Sequence, residues 1–274
     1  MVPDWVTARV RANRWERVGG GYSKAAKWCA TLPSGERAFV KAAEGDLAVR
    51  MARVEMSVYQ HVAGAFLPRL IDAWTGHSRT VLVLEDLSSA YWPPPYPDDT
   101  GPIFGTLAAV AHATPPPGLA RLETRPETPW DRLRELGVCA PSWVDRAVEA
   151  LVAAERAFDV AGDDLVHADV WSDNLCFAAR GVVLTDWGAA RVGSRWLDVA
   201  YALLSILVEG GKPPAVEIPD EASLAAFVAG SVLRDASAPL PAWAEPGSTL
   251  REEQRGYLIH ALRWAAEALG LPQP

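Results

Sequence analysis

The run His167-Ala168-Asp169-Val170-Trp171-Ser172-Asp173-Asn174, followed twelve residues after its end by Asp186-Trp187-Gly188, constrains this chain more than any other segment. An apolar approach, Asp164-Leu165-Val166, leads into the polar turn, and a second apolar run, Gly181 to Thr185, delivers Asp186. Two short strands of this kind bring Asp169, Asn174 and Asp186 to one edge. Phosphoryl transfer from a nucleotide needs those three groups. One carboxylate accepts the proton of the acceptor hydroxyl, while an amide and a second carboxylate hold magnesium against the phosphates. The rival reading is a polar turn with an Asx cap beside an unrelated surface aspartate. Spacing, order and flanking strands all favour transfer.

Upstream, residues 4–13 read as a short helix capped by Asp4, followed by the flexible turn Val18-Gly19-Gly20-Gly21-Tyr22-Ser23. Apolar–polar alternation from Lys27 to Leu32, turn chemistry at Pro33-Ser34-Gly35-Glu36 and a strand ending at Lys41 follow. A glycine turn with a lysine on the next strand is a phosphate-lid arrangement. Asp46 to Ala63 has apolar residues at helical spacing, with Glu55 fourteen residues after Lys41. A glutamate so placed pairs with the strand lysine and holds its ammonium at the phosphates; the bland alternative is a solvated helix residue. Strands over residues 67–74 and 80–84 complete a small antiparallel sheet, and Glu85-Asp86-Leu87 ends it. The proline-rich stretch from Tyr91 to Asp99 is the one sharp break in composition, so the lobe boundary is placed at residues 87 and 88. At such a hinge the backbone of Leu84 and Asp86 is expected to meet the adenine ring. Helices are expected over residues 103–113, 142–159, 195–208, 220–233 and 249–269.

Taken together, the glycine turn, Lys41, Glu55, Glu85-Asp86-Leu87, His167-x-Asp169, Asn174 and Asp186 resemble the aminoglycoside phosphotransferase family. That family shares the protein-kinase-like fold with choline, homoserine and fructosamine kinases. The resemblance covers residues 15–210 and is most specific over 164–200. It implies an α+β bilobal protein-kinase-like fold, with a small antiparallel-sheet N-lobe (1–87) for the nucleotide. A mainly helical C-lobe (88–274) would carry the catalytic loop and the acceptor-binding helices. Residue by residue, it makes Asp169 the catalytic base and Asn174 and Asp186 the magnesium ligands. Lys41 neutralises phosphate charge, Glu55 orients that lysine, and Ser23 with the backbone of Gly20 and Gly21 covers the β-phosphate. His167 and Asp198 brace the catalytic loop. Where the family usually has glycine, this chain has Ala168, which fits a tight turn unless the backbone requires positive φ.

The implied cosubstrate is ATP, with GTP left open, and the implied metal is Mg²⁺. The expected acceptor is a hydroxylated small molecule such as a sugar or aminocyclitol. Trp171, Trp187 and Trp196 offer indole faces for it, and Glu217, Asp220, Glu221, Glu245, Glu252 and Glu253 an acidic wall. The competing view makes those tryptophans core and those carboxylates solvated surface. A protein kinase is disfavoured, because only eleven residues separate Asp186 from Asp198 and no Ala-Pro-Glu follows. A catalytically inactive nucleotide-binding module stays as the alternative, to be separated by magnesium-dependent turnover. A dinucleotide-binding Rossmann protein fails for want of GxGxxG. Net charge of −8 argues against nucleic acid. Three scattered cysteines without CxxC imply reduced thiols, and no stretch approaches a membrane span or signal sequence. A cytoplasmic protein is the expectation.

Overall fold

The computed structural model describes residues 1–19, 25–123, 127–241 and 249–274. Gly20, Gly21, Ser23 and Glu245 therefore lie outside the described residues. The chain opens with α1 (Asp4–Thr7) and β1 (Arg14–Val18), followed by β2 (Ala26–Thr31) and β3 (Arg37–Glu44). Then come α2 (Asp46–His61), β4 (Leu70–Thr75) and β5 (Arg79–Glu85). The five strands form one antiparallel sheet in the order β1-β2-β3-β5-β4. The first helix is shorter than its expected span because the backbone turns early into the sheet, where the Asn13 amide donates to the Thr31 carbonyl at 2.7 Å.

Strand alternation divides the sheet into two faces. Trp28, Ala30, Ala38, Val40, Ala42, Val81 and Val83 bury one face together with Val6 and Val10. On the other face, Ala43 packs with Ala48, Val49 and Ala52 of α2. Lys41 belongs to this second face, so β3 aims it at the helix that carries Glu55. Asp46 in the first turn of α2 suits the positive end of the helix dipole.

Downstream lie α3 (Gly101–His112), α4 (Leu133–Leu136), α5 (Pro141–Ala157) and β6 (Asp164–Val166). The hairpin of β7 (Leu175–Ala178) and β8 (Gly181–Leu184) follows, then β9 (Arg191–Gly193), which pairs with β6. Three helices end the chain: α6 (Trp196–Val208), α7 (Glu221–Ser237) and α8 (Leu250–Ala268). A five-stranded antiparallel sheet followed by a mainly helical portion is the α+β, kinase-like architecture that the resemblance implied. Among the described residues no helix is long and apolar enough to cross a membrane, and Cys29, Cys139 and Cys176 are free thiols.

Two compact units emerge. One comprises Met1–Pro93, Gly105–Ala120 and Asp164–Val192; the other comprises Pro94–Phe104, Arg121–Asp163 and Gly193–Pro274. The second is built around α7, which is buried on nearly every side from Ser223 to Leu233 and packs against α5, α6 and α8. Its interior charge is compensated, as buried ions require. Glu155 pairs with Arg234 at 2.9 Å and accepts the Trp130 indole N–H at 2.6 Å.

Candidate active site

Every described residue of the candidate catalytic set falls within the first unit. Lys41 Nζ lies 2.6 Å from Glu55 Oε2 and 2.7 Å from Asp186 Oδ1, so β3, α2 and the turn after β8 converge on one ammonium. Both Lys41 and Glu55 are buried. Tyr59, one helical turn beyond Glu55, donates its hydroxyl to Glu55 Oε1 at 2.9 Å. Burial opposes the charge on Lys41, but the Glu55 and Asp186 carboxylates outweigh it and hold its pKa above the ordinary lysine value. Burial likewise works against ionisation of Asp186, yet the adjacent ammonium keeps its carboxyl below the usual range.

Close backbone approach makes this convergence possible. A Cβ on Gly188 would lie 3.1 Å from the Met51 Cβ and 3.4 Å from the Met51 carbonyl oxygen. Glycine thus lets the Asp186 turn rest directly on α2. Asp186 itself takes φ of 60°, a left-handed conformation that aspartate tolerates better than most residues.

The His167–Asn174 turn closes on itself. The Asn174 side-chain amide donates to the Asp169 backbone carbonyl and to Asp169 Oδ2, both at 3.0 Å. Both of those bonds use Nδ2, so neither engages the amide oxygen of Asn174. An amide oxygen and the Asp186 carboxylate are both hard oxygen donors, the ligand type magnesium takes when phosphates complete its shell. Burial pushes the Asp169 carboxyl up to about 7, helped by the negative charges of Asp186 and Asp173 and opposed by the Asn174 hydrogen bond. A carboxyl poised there is suited to accept a proton near neutral pH.

His167 is fully buried, its Nε2 lying 2.9 Å from the Thr185 carbonyl and its ring edge-on to Trp187 at 4.5 Å. Burial drives its pKa down to about 4, so the ring is neutral. Between His167 and Asp169, Ala168 adopts φ of 64°. The turn does require positive φ, and this chain meets the requirement with an alanine.

The other residues considered are placed as follows. Leu84 is buried in β5, opposite Phe39 and Leu70. Just beyond β5, Asp86 spends its side chain on Arg37 Nε at 2.6 Å and on the Ser88 amide at 3.0 Å. Of the three tryptophans considered for the acceptor, Trp187 is core. It is fully buried and donates its indole N–H to the Leu184 carbonyl at 2.9 Å, so it has no face to offer. Trp171 and Trp196 are half-buried. In the acidic stretch, Glu221 accepts the indole N–H of Trp264 at 2.8 Å. Sequence reasoning passed over Lys27, Tyr59 and Asp173. Only the β2–β3 register, Lys27 directly opposite Lys41, singles out the first of them.

With this geometry established, comparison with known proteins adds three findings. The profile of the phosphotransferase enzyme family (APH) matches residues 14–230. A choline/ethanolamine kinase family protein from Mesorhizobium loti superposes with a TM-score of 0.58 at 14% identity, covering 94% of this chain and 91% of that one. A macrolide 2′-phosphotransferase from Brachybacterium faecium gives 0.52 at 14% identity, covering 92% and 95%. At such identities the likeness is one of fold. No curated protein matches the sequence.

Proposed function

Because the chain belongs to the phosphotransferase enzyme family, we propose that it transfers the γ-phosphoryl group of ATP, with magnesium, to a hydroxyl of a small molecule such as a sugar or aminocyclitol. One observation carries this reading: a buried Lys41 held between Glu55 and Asp186, with the Asp169–Asn174 pair in the same electrostatic neighbourhood. In the transfer, Asp169 accepts the proton of the acceptor hydroxyl. The oxygen then bonds to the γ-phosphorus, and the bond to the bridging oxygen breaks to release ADP. Asn174 fixes the carboxylate for that task. Lys41, oriented by Glu55, neutralises phosphate charge. Magnesium, when bound, would be held by the Asn174 amide oxygen and the Asp186 carboxylate and would supply further neutralisation at the phosphates.

The functional division proposed is residues 1–87 for the nucleotide, with Leu84 and Asp86 as adenine contacts, and 88–274 for the catalytic loop and acceptor. Gly20, Gly21 and Ser23 are proposed to cover the β-phosphate. A small acceptor is favoured because the eleven residues between Asp186 and Asp198 leave no room for a peptide-docking segment. The test is incubation with ATP, magnesium and a panel of hydroxylated metabolites and antibiotics, followed by mass spectrometry. A gain of one phosphoryl group on a member of the panel is the expected result. Label arriving on protein or lipid would overturn the acceptor class, and absence of any magnesium-dependent turnover would favour an inactive binding module.

A further inference from the structure

Lys27 stands directly opposite Lys41 in the antiparallel pairing of β2 and β3. Opposed residues share a face and lie within about 5.5 Å at Cβ, so Lys27 sits on the α2 side of the sheet with the rest of the site. Two like charges so placed destabilise the pair. Their situations differ, however. Lys41 is engaged by two carboxylates, whereas Lys27 makes no hydrogen bond or ion pair among the described residues while lying half-buried. Burial lowers its pKa and Lys41 adds to the effect, against the pull of Asp186, Glu55 and Asp173. With no carboxylate at ion-pair distance among the described residues, its charge is only partly compensated by those neighbours. Its electrostatic neighbours include Asp186 and Asp173, which belong to the metal-binding and catalytic turns, so it lies towards the end of the site where phosphate is transferred.

We propose that Lys27 is a second phosphate-binding lysine, taking the terminal phosphates of the nucleotide that Lys41, already neutralised by Glu55 and Asp186, cannot balance alone. This rests on the nucleotide-dependent reading above. Calorimetric titration of the full chain with ATP, ADP and adenosine in magnesium, on wild type, Lys27→Met and Lys27→Arg, tests it. Lys27→Met is expected to lose about 10-fold or more in ATP affinity, the usual scale for a charge-assisted hydrogen bond. The loss should be smaller for ADP and absent for adenosine. Lys27→Arg should keep most of the ATP affinity, and neither ligand-free variant should melt below wild type. Unchanged ATP affinity in Lys27→Met, an equal loss for adenosine, or a lowered melting temperature in both variants would each overturn the proposal. Wild-type protein that binds no nucleotide would overturn the kinase reading and this inference with it, a failure visible before any variant is made.

Discussion

At the scale of single residues, the catalytic turn holds two costs with different remedies. Ala168 sits at φ of 64°, where an L-residue with a Cβ loses roughly 1 kcal/mol relative to glycine. Ala168→Gly should therefore raise the melting temperature by about 2–4 °C, the shift that such an energy produces in a chain of this size. A melting temperature that falls instead would mean the turn draws rigidity from alanine that outweighs the strain. The second cost is the charge on Asp169. Its pKa is raised from 3.8 to about 7 in the folded protein, so the folded state binds the extra proton across that interval. Stability falls as pH rises through it, and the whole penalty is present above pH 7. His167, lowered from 6.5 to about 4, works the other way and loses stability as pH falls through its own interval. The two slopes oppose each other, so the wild-type profile between pH 4 and 6.5 is flattened. In metal-free protein at pH 8, Asp169→Asn should be more stable than wild type by about 2–4 kcal/mol while losing about 10² or more in turnover. Denaturant titration and turnover, measured on one preparation, check both halves. Equal stability at pH 8 would place Asp169 in a far more solvated setting.

Among the elements, the catalytic hairpin is fastened to the sheet by one arginine. Arg180, in the turn between β7 and β8, grips Glu85 with both terminal nitrogens at 2.7 and 2.8 Å and donates to the Ala65 and Leu67 carbonyls. The Leu184 amide adds a backbone bond to the Phe66 carbonyl at 2.8 Å. Arg180→Met removes the bidentate pair and the carbonyl contacts together, and should cost about 1–3 kcal/mol. Because β8 delivers Asp186, turnover should fall as well, although Arg180 contacts none of the proposed catalytic groups. Wild-type turnover at wild-type stability would show that the hairpin is held without it. Nothing in the sequence marks Arg180, since its partners at 65, 67 and 85 become neighbours only when the sheet forms. Asp169 and Asn174 were legible because one turn contains both. Glu55 was legible because a helix directly follows the strand that bears Lys41. Lys27 needed the register of a hairpin, and the burial of Trp187 needed its packing against His167 and Phe66.

For the whole molecule, compactness follows contact and not chain order. The sheet, residues 105–120 and the turns bearing Asp169 and Asp186 form one unit, and the helices around α7 form the other. The ion triad of Lys41, Glu55 and Asp186 shows why, since it joins residues 145 positions apart in the chain. This arrangement predicts where ligands leave their mark. At a hundredfold excess over its dissociation constant a nucleotide stabilises the state it binds by about 2.7 kcal/mol, and hydrogen exchange reports which amides share in that gain. Magnesium and a non-hydrolysable ATP analogue should slow exchange in β2, β3, α2 and the segment from Asp169 to Gly188, with little change along α7 and α8. An accepted substrate, once found, should add protection in the helices after Asp186, as the proposed division of the chain into nucleotide and acceptor parts requires. Nucleotide protection centred on α7 and α8 would refute the assignment of the phosphate site to Lys41 and its partners, whatever the acceptor proves to be.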